Sequence, residues 1–450
     1  LVKKSFDLVV IGTGSAATTI ANRCRGAGWS AAVIDELPFG GTCALRGCDP
    51  KKVLVGNAET IEWVRRLQGK GIRADALRID WPELMRFKRS MIAAYPEQKE
   101  NGFRRAGIEV FHGHARFAGP NTIEVDSSEL EAKKIVIASG AKPTPLGIAG
   151  QEQLTFSDQF LELDELPRRV TFVGGGYISM EFAHVSARAG ASVTVLHRGK
   201  RPLPRFDPDL ALRIADKSRA IGIDVRLERE VVRIEKNDSG LVVCAAHHGT
   251  EERIETDLVV HGGGRVPAID GLDLEQGCVD SVAWRLTLNE FLQSVSNPAV
   301  YAAGDAAAAG PPLTPVAGYE GQIVAANLLE GNHMRADYSA IPSVAFTVPP
   351  LAAVGLSEDA ARQQGFKIRV NAGDTASWYS SRRIGETHSG YKVIVDEPTG
   401  RILGAHLIGP GAEEMINLFA MAMRSGLTST QIKEMLFAYP THASDMPYMV

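Results

Sequence analysis

Two stretches of the chain carry the same pattern of apolar and polar positions. In "FDLVVIGTGSAATTIANRCRGAGWSAAVIDE", residues 6–36, a β-branched apolar run leads into a glycine turn. An alanine-rich helical stretch and a second apolar run follow. "RVTFVGGGYISMEFAHVSARAGASVTVLHR", residues 169–198, repeats the order. Both predict strand, glycine turn, helix, strand. Residues 50–105 predict a charged helical region, and short β-rich stretches then end in "KKIVIASGAKPTP". "RIETDLVVHGGGRVP" and "NPAVYAAGDAAA" each predict a strand running into a small-residue turn. From about Tyr338 the pattern changes to an α+β domain of ~110 residues, a usual domain size. Within it, "DEPTG" predicts a hairpin turn.

Composition narrows the class. The chain has 450 residues, 44% hydrophobic and 23% charged, with net charge −4. This length exceeds one hydrophobic core and predicts several domains. No basic excess or polybasic run points to nucleic acid or an anionic membrane. No apolar run reaches the roughly 18 residues that span a bilayer. The first residues, "LVKKSFDLVVIG", lack a signal-peptide pattern and enter a strand directly. Five cysteines without framework spacing argue against a disulfide-stapled secreted protein. The expectation is a cytoplasmic α/β protein.

The first glycine turn reads Gly12-x-Gly14-x-x-Ala17. The first glycine allows the tight turn, the second lets a pyrophosphate approach the backbone, and the small third residue lets helix and strand pack closely. The phosphates then meet free N–H groups at a helix N-terminus. Asp35, at the end of the next strand, is placed to accept hydrogen bonds from a ribose, with Glu36 as a competing candidate. The second turn reads Gly174-x-Gly176-x-x-Ser179. Its strand ends in His197 and Arg198, followed by Lys200 and Arg201. Basic residues there suit a 2′-phosphate and therefore NADPH, against the blander reading of a solvated basic loop. Two dinucleotide sites suit a flavin held tightly and a nicotinamide exchanged.

"GGTCALRGCDPKKV", residues 40–53, places Cys43 and Cys48 five positions apart. On a regular helix that spacing is about 7.5 Å of rise, whereas a disulfide needs Cα atoms roughly 4.4–6.8 Å apart. A bridge therefore requires a distorted turn at a helix start, which Gly47 would relieve. Such a bridge is reducible, and a helix N-terminus with Lys51 nearby favours a thiolate. Zinc needs four ligands and this segment offers two.

These motifs, with "IVIASGAKP", "GGGRVP", "VYAAGDAA" and a late "YPT", resemble the flavin-dependent pyridine nucleotide–disulfide oxidoreductases of the glutathione reductase, dihydrolipoamide dehydrogenase and mercuric reductase group. The resemblance covers nearly the whole chain. It implies two Rossmann-like dinucleotide-binding domains and a C-terminal α+β dimerisation domain. The FAD-binding domain would take residues 1–150 and 270–335, the NADPH-binding domain 151–269, and the interface domain of a homodimer 336–450. It implies that Gly12, Gly14, Ser15, Ala16, Asp35, Glu36, Gly41, Thr42, Ala115, Gly140 and Asp305 serve FAD. Gly174, Gly176, Tyr177, Ile178, His197, Arg198 and Gly264 would serve NADPH, with Tyr177 as an aromatic gate. Cys48 would lie against the flavin, Cys43 would attack the substrate, and Lys51 would pair with Glu181.

The sequence departs from that family where the acceptor is chosen. Tyr439 stands where the disulfide reductases carry a histidine, and Ser444 where they carry its glutamate. Tyrosine, at about 10, is a poor acid–base at neutral pH. His442 and Asp445, three apart, form a candidate displaced dyad; Tyr439 acting on a non-thiol acceptor is the other reading. The positions that grip glutathione in glutathione reductases read Asn22 and Gln322, and an amide does not replace a bidentate arginine. Arg46 and Asp49 bring opposing charges to the cysteine loop. Cys24, Cys244 and Cys278 read as packing or incidental thiols. The expected function is electron transfer from NADPH through FAD and the Cys43–Cys48 pair to a small disulfide or a metal ion. The alternative is a flavin NADPH oxidase or electron-transfer enzyme that reduces oxygen, a quinone or a metal directly. A non-enzymatic flavin sensor is a further alternative, disfavoured by the Lys51 and Glu181 spacing.

Overall fold

The computed structural model describes residues 2–450. The chain divides into two compact units. The first is built from residues 2–50, 87–144 and 264–338, and the second from 51–86, 145–263 and 339–450.

The first unit is organised by a seven-stranded sheet. Val2–Ile11 pairs in parallel with Ala31–Asp35 on one side and Ser128–Ile137 on the other. Val10 is opposite both Val33 and Val136. Val300–Ala302 adds in parallel to the far half of Ser128–Ile137, while Thr122–Val125 and Ala115–Gly119 continue as an antiparallel edge. Alternate residues of the central strand enter different cores. Val9 and Ile11 pack with Ile34, Ile135 and Ile137. Leu8 and Val10 pack with Ile20, Ala21, Ile323 and Val324. Burial on both faces is why this strand reads as a continuous apolar run. The helix Ser15–Gly26 lies against the helix Thr314–Glu330, whose Gly321 leaves no room for a Cβ beside the Ala16 carbonyl, 3.0 Å away.

The second unit carries three sheets. The first is five-stranded and parallel, in the order Asp224–Leu227, Ser192–His197, Arg169–Val173, Leu258–His261, Leu154–Thr155. Its core joins Val170, Phe172, Val193, Val195, Met180 and Phe182 to Leu54, Val55 and Trp81. Glu230–Asn237, Gly240–His247 and Thr250–Thr256 form an antiparallel three-stranded sheet. The third sheet, five-stranded and antiparallel, runs Ser343–Ala345, Leu351–Gly355, Ile402–Ile408, Gly390–Asp396, Ile368–Asp374. The helix Ala412–Arg424 covers it through Ile416 and Phe419.

One expectation changes in detail. "RIETDLVV" is not one strand: it breaks at Asp257, whose carboxylate accepts from the Arg169 backbone N–H (2.9 Å) and from its guanidinium. The two halves therefore enter different sheets. Within the second unit the 145–263 and 339–450 segments each keep their own sheets. Among the described residues no helix is long and apolar enough to cross a membrane.

Candidate active site

In the first unit the glycine turn sits between the strand Val2–Ile11 and the helix Ser15–Gly26. Gly12 has φ +110°, and a Cβ there would lie 2.2 Å from the Ala138 carbonyl oxygen. Gly14 is the helix N-cap and offers no capping side chain, so the first N–H groups keep no side-chain acceptor. Ser15 and Ala16 open that helix, and Ala16 is buried against it. Gly41, at φ +77°, lies so near that its Cβ would fall 2.6 Å from Gly14 Cα. Thr42 follows in the helix Gly41–Arg46. The turn that would hold the pyrophosphate and the start of the cysteine segment are thus pressed backbone to backbone.

Sequence reasoning missed the side chain that ties them. Thr13 is fully buried. Its hydroxyl donates to Asp35 Oδ2 at 2.6 Å and accepts from the Gly40 N–H at 3.0 Å. Asp35 also accepts from the Leu37 N–H at 3.0 Å. Burial raises the Asp35 pKa; Thr13, Leu37 and the positive charge of Arg46 oppose the rise. Arg46 therefore acts on Asp35. Glu36 is not free for a ribose: its carboxylate lies 2.9 Å from His114 Nδ1, and His114 Nε2 lies 2.7 Å from the Gly271 carbonyl. Ala115 turns its side chain into the core, which leaves only its backbone for a ligand. Gly140, at φ +74°, accepts through its carbonyl from the Ala268 N–H, and Gly264, at φ +118°, accepts from the Thr144 N–H.

Asp305 follows the strand Val300–Ala302 in the short helical turn Gly304–Ala306. Glu320 braces that turn: its carboxylate accepts from the Gly304 N–H at 2.6 Å and from the Tyr338 hydroxyl at 2.7 Å. Burial raises the Asp305 pKa, with the nearby Arg265 charge working against it. A half-buried carboxylate braced in this way suits a polyol chain carrying its own hydroxyl donors. The uncapped turn and Asp305 together fit an FAD.

The cysteine segment is broken as the spacing requires. The helix Gly41–Arg46 ends at Gly47, where a Cβ would meet the Thr42 carbonyl at 3.0 Å, and the helix Cys48–Leu67 begins at once. Both cysteines are thiols in this structure. They share a hydrogen bond that, with burial, pushes the Cys43 pKa up. Cys43 Sγ is 3.9 Å from Asp49 Oδ1, so the carboxylate of Asp49 acts on Cys43. Cys48 Sγ lies 3.8 Å from Thr314 Oγ1, and the same hydroxyl bonds to Cys43. Thr314 carried no signal in the sequence. Asn22 and Gln322 are spent within the chain: Asn22 donates to the Thr18 carbonyl at 2.8 Å, and Gln322 accepts from Arg23 at 2.8 Å.

In the second unit Gly174, at φ +99°, would place a Cβ 2.4 Å from the Gly262 carbonyl, and Gly176 is an uncapped helix N-cap. Tyr177 and Ile178 open that helix, and Tyr177 is 42% exposed. Four residues on, Glu181 is buried and forms an ion pair with Lys51. Its other oxygen accepts from the Phe346 N–H at 2.8 Å. Lys51 Nζ also lies 4.8 Å from the centre of the Tyr177 ring. These uncapped N–H groups and the open tyrosine fit a nicotinamide dinucleotide. His197 Nδ1 accepts from the Gly175 N–H at 3.0 Å, and burial lowers its pKa. The neutral ring shapes the turn and leaves exposed Arg198 to meet a phosphate.

Tyr439 is 78% exposed. His442 opens the 3₁₀ helix His442–Tyr448 and packs against Gly411. Burial lowers its pKa, and Asp445 acts on it only through charge. Asp445 accepts a hydrogen bond from Ser380, so the expected His442–Asp445 dyad is not a hydrogen-bonded pair.

The sequence pattern of the pyridine nucleotide-disulphide oxidoreductases matches residues 6–321, and that of their dimerisation domain matches residues 341–450. The chain belongs to this family. Members of this pyridine nucleotide-disulphide oxidoreductase family use FAD and NAD(P)H. The chain is 32% identical to a glutathione reductase of Burkholderia cepacia over 98% of both proteins. It is 30% identical to a mercuric reductase of Lysinibacillus sphaericus over 98% of this chain and 81% of that protein. Among solved structures, a Cu(II) complex of the HOCl-induced flavoprotein disulfide reductase RclA from Escherichia coli superposes with a TM-score of 0.88 at 28% identity, covering 99% of each chain. The chain therefore aligns over 98% of its length with a glutathione reductase and with a mercuric reductase.

Proposed function

We propose that this chain is a homodimeric, NADPH-dependent FAD enzyme that delivers two electrons through Cys43 and Cys48 to a small acceptor, a low-molecular-weight disulfide or a soft metal ion. The observation that carries the reading is the pair of hydrogen-bonded thiols sharing Thr314, held next to the Gly12–Gly14 turn by the Gly41 contact. Bound FAD supplies the two-electron relay between nicotinamide and the pair. Reduction opens the disulfide to two sulfurs; Cys43 passes the electrons on as the disulfide closes again. The Thr314 hydroxyl works against the rise in the Cys43 pKa that Cys48 and burial impose. Lys51, held by Glu181, keeps a positive charge ordered at the start of the cysteine helix. Arg198 supports the choice of NADPH.

The acceptor side favours a metal ion over glutathione disulfide. Asn22 and Gln322 are already bonded within the chain. His442 and Asp445 do not form a hydrogen-bonded pair that could protonate a leaving thiol, because Asp445 is bonded to Ser380. Tyr439 is open to solvent. Metal reduction needs no proton delivered to a leaving sulfur. The similarity to a mercuric reductase and to a reductase that forms a Cu(II) complex supports the same reading.

The test is an anaerobic titration with NADPH, followed by absorbance, of wild type and Cys48→Ser. A long-wavelength charge-transfer band after two electrons, lost in the variant, is expected. Direct bleaching of the flavin in both proteins would overturn the cysteine route and leave a direct flavin oxidase or electron-transfer enzyme.

A further inference from the structure

The helix break at Gly47 does more than bring two sulfurs together. It starts the helix Cys48–Leu67 with Asp49 in its first turn, where free N–H groups favour a carboxylate. From there Asp49 reaches back six positions: its Oδ1 lies 3.9 Å from Cys43 Sγ. Asp49 is exposed and Cys43 is half-buried. A molecule that comes to the Cys43 sulfur therefore meets a carboxylate beside it.

The groups near Cys43 differ in what they offer an acceptor. Cys48 and Thr314 share hydrogen bonds with the sulfur and act within the pair. Asp49 adds a negative charge, which works in the same direction as Cys48 on the Cys43 thiol. Arg46, three positions after Cys43, brings its positive charge to Asp35. Asn22 and Gln322 are uncharged amides bonded within the chain. A unit charge acts in opposite senses on a cation and an anion that approach the same sulfur. With the approaching charge about 8 Å from the carboxylate in water, the two rates diverge on the order of fivefold. That distance is comparable to the screening length of roughly 8 Å at physiological ionic strength, so part of the effect survives there.

We infer that Asp49 is a specificity-determining residue: it draws cationic acceptors to Cys43 and holds off carboxylate-bearing disulfides. It acts through its charge and makes no bond to the acceptor. The inference rests on the reading of Cys43 as the thiol that meets the acceptor, and it narrows that acceptor to a cation.

The probes are two ethyl methanethiosulfonates of opposite charge, one carrying trimethylammonium and the other sulfonate. The Cys43 thiolate attacks each at sulfur, a mixed disulfide forms on Cys43, and methanesulfinate leaves. FAD-loaded Cys48→Ser enzyme keeps Cys43 from closing onto its partner, and peptide mass spectrometry reads labelling at Cys43 alone. The cation-to-anion ratio of rate constants, divided by the same ratio for free cysteine, cancels the thiolate fraction and leaves the local field. We expect this ratio to exceed one, and to fall on the order of fivefold when Asp49→Asn is added. Asp49→Glu keeps the charge and should keep the ratio. Raising the ionic strength from about 0.01 M to about 1 M shortens the screening length from roughly 30 Å to 3 Å and should erase the difference. A change in Asp49→Asn of less than about 1.5-fold, well under the Coulomb expectation, overturns the inference. So does a preference for the anion in the parent, or a difference that persists at high salt. If Asp49→Asn does not retain FAD, the salt series on the parent decides, and a ratio that stays flat overturns the inference. The reagents label Cys43 whether or not NADPH reduces it, so failure of the cysteine route and failure of this inference are separate results.

Discussion

Gly14→Ala separates the chain's own folding from its hold on FAD. Gly14 has φ −70°, ψ −166°, a conformation open to alanine, and the nearest atom to a Cβ there is Gly41 Cα at 3.8 Å, an ordinary contact. The methyl therefore meets nothing in the protein. Replacing glycine also restricts the unfolded chain, which stabilises by up to about 1 kcal/mol. Toward a pyrophosphate seated on the turn, the same methyl overfills a close contact, which costs about 1–3 kcal/mol. That converts to FAD binding weaker by roughly 5- to 150-fold. The assay is a fluorescence titration of apoprotein with FAD, alongside the urea midpoint of the apoprotein. We expect an unchanged or slightly raised midpoint and a large loss of affinity. Gly12→Ala is the contrast: at φ +110° and 2.2 Å from the Ala138 oxygen, it lowers both. If Gly14→Ala binds FAD within about twofold of wild type, a change below 0.5 kcal/mol, the turn does not seat the pyrophosphate and the reasoning fails.

Other consequences are equally direct. Lys51→Met or Glu181→Gln strands one charge of a buried pair and should destabilise by about 3–5 kcal/mol, whereas the double variant should cost much less than the sum; additive urea midpoints would show that the pair is uncoupled. Arg198→Ala should raise the KM for NADPH on the order of tenfold to a hundredfold and leave that for NADH nearly unchanged, as steady-state kinetics would read. His114 faces the Gly271 carbonyl and then Glu36, and both raise its pKa. Its stabilising effect is therefore complete below about pH 6.5 and fades as pH climbs through the raised value. His114→Gln should flatten the unfolding midpoint over that window, and an unchanged slope would remove His114 from the linkage.

The sequence by itself determined the parts whose signal is local. A left-handed glycine, an apolar run and the helix that follows lie within about a dozen residues, so the two strand–turn–helix units and the family were legible. The break at Gly47 was also legible, since five residues of regular helix cannot bring two sulfurs together. Tertiary structure decided every pairing between distant positions. Thr314 reaches Cys48 from 266 positions away, and Glu320 braces the Asp305 turn from the following helix. His197, Glu36 and His442 looked like ligands or catalysts because their residue types suit those tasks. Packing gives each a partner inside the chain that the sequence did not show: His197 the Gly175 N–H, Glu36 the His114 ring, and His442 a wall beside Gly411. A side chain's chemistry is written in its type, but its partner is set by which backbone groups burial brings within about 3 Å, and that depends on the fold of the whole chain.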